Sequence, residues 1–282
     1  MLWSVCVRPV SVSLETTAGS VSVYDSQGQG PCVVLLHGNS LSASLFSEQL
    51  TGSFGDSLRV VAFDLPGHGR SQNARRPETD YSLPGYARIL EEVADGLDLD
   101  PFVLVGVSLG GHIALEYSAT ADTRLKAVAA FGTPPVSREP EDLDRAFKRS
   151  EEIGYLFQEH LTDAEARQFL HAVTGASSGA LFETLLSDVE RSDGRARRNL
   201  ASSLQRGEFV DEAALTHTSR VPLLMAVGER DAFVSQDYVA ALRPSKLFGG
   251  RFRIVEGAHH SVVFDSRERF EGLLREFLGR IL

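Results

Sequence analysis

Cysteine is nearly missing from this chain of 282 residues, which holds only Cys6 and Cys32. Two thiols make neither a disulfide framework nor a metal site. Cys32 opens the apolar run CVVLLHG and reads as a small core residue. Long hydrophobic runs are missing as well: no stretch approaches the roughly 18 apolar residues that a membrane span needs. The opening MLWSVCVRPV lacks the basic start, apolar centre and small-residue cleavage site of a secretory signal. Positive charge is in deficit, with 28 Lys and Arg against 38 Asp and Glu and a formal net charge of −10. That balance disfavours nucleic acid and anionic membranes, which are polyanions themselves. No His, Cys, Asp and Glu residues cluster at metal-ligand spacing, and neither glycine-rich phosphate motif occurs, so no metal and no cofactor is called for. The expected partner is a small, neutral, partly apolar molecule, and the expected compartment is the reducing cytoplasm.

What is present is a series of apolar runs of strand length: 31–38, 58–67, 101–108, 125–132, 221–228 and 251–257. Each is continuously apolar, as strands covered on both faces should be. Helical patterns lie between them at 84–97, 109–120, 236–243 and 268–281. This alternation predicts an α/β fold with a mostly parallel, doubly wound sheet. An earlier stretch, SVSLETTAGSVSVYDS, alternates about a turn at Ala18–Gly19 and predicts a leading antiparallel hairpin. Between Pro134 and Arg220 the alternation stops and apolar residues recur at helical spacing, among them Phe147, Phe157, Phe169 and Leu186. That stretch predicts a helical cap over 135–219, inserted into a core made of 1–134 and 220–282. Within it, RSDGRARRNL reads as a helix start with a solvated basic face and Asp193 as N-cap, not as a binding patch.

One serine stands out. In PFVLVGVSLGGHIALE, Ser108 lies where an apolar run ends and a helical pattern begins, within the spacing Gly106-Val107-Ser108-Leu109-Gly110. This matches the nucleophile elbow, a strained strand-to-helix turn that exposes the serine oxygen and leaves no room for neighbouring Cβ atoms. A serine needs a base, and the base an orienting acid. Asp231 and Glu229 follow the run 221–228, and His259 and His260 follow the run 251–257. The three residue types thus occur in the order serine, acid, histidine at the ends of three strands. Asp231, three residues past Gly228, reaches the sheet edge better than Glu229. The backbone N–H groups of Leu109 and Asn39 are the candidate oxyanion donors. His37, His68 and His112 read as structural.

From VVLLHGNS through AFDLPGHGRS and VLVGVSLGGHIALE to the closing histidines, the chain resembles the α/β-hydrolase superfamily. More narrowly it resembles the N-acyl homoserine lactonases of the AidH type. HGNSLSASLFSEQL, YSLPGYA and SLGGHI carry that likeness, together with GTPPVSRE and SDGRARR at and within the cap. The resemblance implies an α/β-hydrolase fold, Ser108 as nucleophile, His260 as base with His259 where a glycine usually sits, and Asp231 as acid. It implies Asn39 and Leu109 as oxyanion hole, and ring opening through an acyl-enzyme in quorum-signal degradation. The chain departs from that pattern at Asp231, where the family has a glutamate. Two candidate substrate-binding residues also depart: Val107 stands for a tryptophan and Phe169 for a cap tyrosine. The rival expectations are a carboxylesterase for another small ester or lactone, and a non-catalytic binding protein on the same fold.

Overall fold

The computed structural model describes residues 9–282; Cys6 and the opening segment read above for a secretory signal lie outside the described residues. Eight strands form one sheet in the order β1-β2-β4-β3-β5-β6-β7-β8. They are β1 Val10–Thr16, β2 Gly19–Asp25, β3 Cys32–Leu36, β4 Arg59–Phe63, β5 Phe102–Val107, β6 Leu125–Phe131, β7 Leu223–Gly228 and β8 Arg253–Val255. β1 and β2 make the expected antiparallel hairpin, with Thr16 opposite Gly19. Gly19 turns the corner at φ 127°, which a side chain would strain. β2 joins β4 antiparallel, and from there to β8 every neighbouring pair is parallel. The fold is the expected α/β-hydrolase arrangement.

The continuous apolar runs follow from cover on both faces. β3, β5 and β7 are buried at every residue. Side chains alternate across the sheet, so Val34, Leu36 and Leu104 pack under the helices Leu83–Gly96 and Leu109–Ser118. Val33, Leu35, Val103 and Val105 face the other way, into the layer holding Phe270, Leu274 and Phe277 of the helix Arg267–Leu278. β8 departs from the expectation: it has only three residues, and Ile254 is 51% exposed. It is the sheet's edge, and only its Val255 side reaches the core. The helix after Ser108 exposes almost nothing, since only His112 and Glu116 escape full burial. It is packed between the sheet and its neighbouring helices.

Between β6 and β7 come six helices: Pro140–Ala146, Glu151–Tyr155, Asp163–Thr174, Ala180–Arg191, Gly194–Gln205 and Glu212–Thr218. Thr162 and Glu165 form a capping box on the third, and Gly175 closes it at φ 71°. Asp193 caps the fifth through the Arg195 N–H, as its sequence suggested. The basic face of that helix is only partly solvated, however, because Arg197 is 4% exposed. Polar contacts tie these helices to residues that precede β5 in the chain. Tyr81 Oη donates to Asp193, Ser42 Oγ to Asp188, and Arg191 to the His68 carbonyl.

Candidate active site

Ser108 sits between the end of β5 and the first turn of the next helix, at φ 54° and ψ −119°. Such a conformation is rare for a residue with a Cβ and must be imposed by its surroundings. Here the Ser108 N–H donates to Phe131 O at 2.8 Å, and its carbonyl accepts from Gly111 N at 2.8 Å and Thr133 Oγ1 at 3.1 Å. A Cβ on Gly106 would lie 2.2 Å from the Gly110 carbonyl, and one on Gly110 would lie 2.1 Å from Leu36 O. Both positions therefore require glycine if helix and strand are to approach this closely. The serine hydroxyl makes no hydrogen bond to a described residue and borders two cavities, of about 290 and 20 Å³.

The smaller cavity brings Ser108 together with His260, Val107 and Phe169. His260 Nδ1 lies 2.8 Å from Asp231 Oδ2, while Asp231 Oδ1 accepts the N–H groups of Phe233 at 2.8 Å and Val234 at 2.9 Å. Burial alone would raise the Asp231 carboxyl. The charge and hydrogen bond of His260 and the two N–H donors outweigh it and hold the group below the ordinary carboxylate range. An ionised carboxylate only accepts, so His260 Nδ1 is the donor to Asp231 and Nε2 is the ring nitrogen left for another partner. The His260 ring packs on Phe233 at 4.7 Å, and Phe233 on Phe169 at 6.1 Å, which fixes its orientation.

The competing residues lie elsewhere. His259 Nδ1 pairs with Asp265 Oδ2 at 2.7 Å. Glu229 is exposed and accepts the Gly257 N–H at 2.8 Å. Asn39 and Leu109 border the larger cavity with Ser108. The Leu109 N–H is the first of its helix, so it has no intrahelical acceptor and sits at the positive end of the helix dipole. The Asn39 N–H donates to no described residue. From the chain between β6 and β7 the larger cavity takes the apolar residues Leu143, Phe147, Ile153, Leu156, Leu200 and Leu204, and also the polar or charged Asp144, Lys148, Arg149 and Gln205. Its volume falls near the lower end of small-molecule sites, roughly 300–1,000 Å³.

His37 and His68 underpin the Asn39 loop. The Leu65 N–H donates to His37 Nε2 at 3.0 Å, and His37 Nδ1 donates to Gly38 O at 2.8 Å, which fixes the neutral tautomer. His68 Nδ1 lies 3.0 Å from Pro66 O, with the two rings 5.2 Å apart. Burial, with repulsion from His37 second, pushes the His68 imidazole down to about 3. Its folded-state value is thus below its unfolded value, so the unfolded chain takes up a proton first. Stability therefore falls as pH drops from about 6.5 towards 3, by up to about 1.4 kcal/mol per pH unit for one histidine. Urea midpoints at pH 7 and pH 5 should differ more in the wild type than in His68→Gln; equal differences would contradict this.

Two site residues had no readable signal. Glu212 is fully buried and accepts His112 Nδ1 at 2.8 Å and the Val136 N–H at 3.1 Å, which places the His112 ring on the large cavity's wall. In sequence it is an ordinary first-turn acid of a helix. Arg197 lies inside the basic stretch read as solvated.

The alpha/beta hydrolase family model matches residues 33–273. Among solved structures, the N-acyl homoserine lactonase AidH in complex with N-butanoyl homoserine superposes at a TM-score of 0.90 with 32% identity. The match covers 95% of this chain and 96% of that one. A thermophilic esterase from Thermogutta terrifontis, at TM-score 0.75 and 22% identity over 96% of this chain and 99% of that one, shares the fold. The 2-hydroxy-6-oxononadienedioate/2-hydroxy-6-oxononatrienedioate hydrolase of Escherichia coli is 26% identical over 91% of this chain and 90% of its own length. This chain belongs to the alpha/beta hydrolase family, as an enzyme that hydrolyses esters.

Proposed function

We propose that the chain opens the lactone ring of N-acyl homoserine lactones, degrading quorum signals in the cytoplasm. The observation that carries this reading is the likeness to AidH, a lactonase solved with N-butanoyl homoserine, over 95% of this chain, cap included. Residues 135–219 act as the cap, over a core of 1–134 and 220–282. Ser108 is the nucleophile, His260 the general base and Asp231 the residue that orients it. Ser108 Oγ attacks the ring carbonyl as its proton passes to His260 Nε2, and the oxyanion is held by the N–H groups of Asn39 and Leu109. The tetrahedral species collapses, the ring C–O bond breaks, and His260 returns the proton to the departing alkoxide. Water, deprotonated by His260, then hydrolyses the acyl-enzyme to N-acyl homoserine. The leaving hydroxyl stays tethered to the acyl group, so ring closure competes with water, and the cap must hold the opened chain aside. The acyl tail lies along the apolar residues of the large cavity, and Val107 and Phe169 wall the small cavity beside the reacting carbonyl. No metal, nucleic acid or membrane takes part.

A carboxylesterase for another small ester is the second reading. It is favoured by Val107 and Phe169, two apolar side chains at the small cavity where the lactonase resemblance implies a tryptophan and a tyrosine. A phenolic hydroxyl absent from the site cannot hydrogen-bond the substrate. Proton release in weak buffer separates the two readings. With N-octanoyl homoserine lactone, kcat/KM is expected to exceed that for p-nitrophenyl octanoate by at least about tenfold, or about 1.4 kcal/mol of transition-state binding. Reaction with the ester alone would overturn the lactonase reading and leave the carboxylesterase.

A further inference from the structure

Arg197 is a buried cation with no carboxylate within ion-pair distance among the described residues. It is held instead by four neutral acceptors. Nε donates to Gln158 O at 2.6 Å and Nη2 to Glu159 O at 2.9 Å. Nη1 donates to Ser192 Oγ at 2.8 Å and to Ser40 Oγ at 2.9 Å. Burying a charge is costly, and an apolar side chain would serve better if the position only joined the cap helix to its surroundings. What the guanidinium does that an apolar residue cannot is hold several separate backbone and hydroxyl groups in one fixed geometry.

The fourth contact leads to the reaction centre. Ser40 is fully buried and adopts φ 62°, and its hydroxyl donates to Asn39 Oδ1 at 3.0 Å. The relay therefore runs from a cap helix, through one hydroxyl, to the residue that borders both cavities beside Ser108. Two residues further on, Ser42 Oγ donates to Asp188 of another cap helix, so the same loop is fastened to the cap twice. On its other side Arg197 grips Gln158 and Glu159, next to Leu156 and Phe157 of the large cavity's wall.

We propose that Arg197 is a positioning residue for the oxyanion hole, acting through Ser40 on Asn39, so that seating the cap and completing the hole are one event. The proposal rests on the serine-hydrolase reading of Ser108, not on the choice of lactone. With the Ser40 hydroxyl committed to Oδ1, the Asn39 amide is fixed and its backbone N–H with it. Without the relay, the Asn39 loop keeps its fold but loses its register against the attacked carbonyl. A misplacement of about 1 Å is enough to cost roughly a hundredfold in rate.

The test is a double-mutant cycle on kcat and KM with p-nitrophenyl butanoate, using Ser40→Ala, Arg197→Met and the double variant, with thermal midpoints alongside. Ser40→Ala is expected to lower kcat about tenfold to a hundredfold with KM within about twofold, since the loss falls on the transition state. Arg197→Met is expected to lower kcat similarly, Arg197→Lys to recover part of it, and the double variant to lose no more than the worse single one. Should Arg197→Met fail to fold, Ser40→Ala and Arg197→Lys still decide. An unchanged kcat in Ser40→Ala, or losses that multiply in the double variant, would overturn the relay. Full activity in Ser108→Ala, run in parallel, would instead overturn the underlying serine mechanism.

Discussion

Ser108→Ala is expected to lower kcat on a p-nitrophenyl ester by about 10⁶-fold, the scale on which removal of a serine nucleophile acts. The fold should survive the change. The hydroxyl makes no hydrogen bond to a described residue, while the strained backbone is held by Phe131 O, Gly111 N and Thr133 Oγ1 through main-chain atoms that alanine keeps. A thermal midpoint at or above the wild-type value, together with lost turnover, is the expected pair of results. Retained turnover would remove Ser108 from the mechanism, and a collapse of the fold would show that the hydroxyl is structural.

The second large effect separates two adjacent imidazoles. His260→Ala is expected to cost nearly as much as Ser108→Ala, because the two act as a unit. His259→Ala should cost less than about tenfold. The reasoning is geometric. Asp231 fixes His260 Nδ1 as the donor, and the ring lines the small cavity with Ser108, so Nε2 is the nitrogen left to serve the serine. His259 is turned to Asp265 instead. A control belongs with this pair, since His260→Ala strips a buried carboxylate of its partner and is expected to destabilise the fold. The comparison is therefore made at a temperature where circular dichroism finds both variants folded. Equal losses, or a larger loss for His259→Ala, would contradict the assignment.

How much of this could be read from the chain depends on how local each signal is. The elbow is local: Gly106 and Gly110 are required by contacts within five residues of Ser108 and with the end of β3, so the glycine spacing exposes it. The parallel sheet was legible because burial on both faces leaves uninterrupted apolar runs. The same rule misjudged β8, where an edge position leaves Ile254 in water although its sequence looks like the other strands. The short helices Ser47–Thr51 and Ser53–Ser57 were not anticipated, since five residues are too few to establish a helical period. His259 and His260 differ only in how their loop is tied. The Ser261 N–H donates to Val173 O of the helix Asp163–Thr174 and the His259 N–H to Asp265, and neither contact leaves a mark in the sequence. Arg197 illustrates the limit most clearly. Its partners Gln158, Glu159 and Ser40 are distant in the chain, so a buried guanidinium held by four hydrogen bonds looks the same as its solvated neighbours.

The measurement to make first is the intact mass of the protein after treatment with an alkyl fluorophosphonate, followed by mapping of the modified peptide. Serine oxygen attacks phosphorus, fluoride leaves, and the adduct is stable. One phosphonyl group on the peptide carrying Ser108 is expected in the wild type and in His259→Ala, with none in Ser108→Ala and strongly slowed labelling in His260→Ala. An adduct on another residue, or undiminished labelling of Ser108→Ala, would contradict the serine mechanism on which the activity predictions depend.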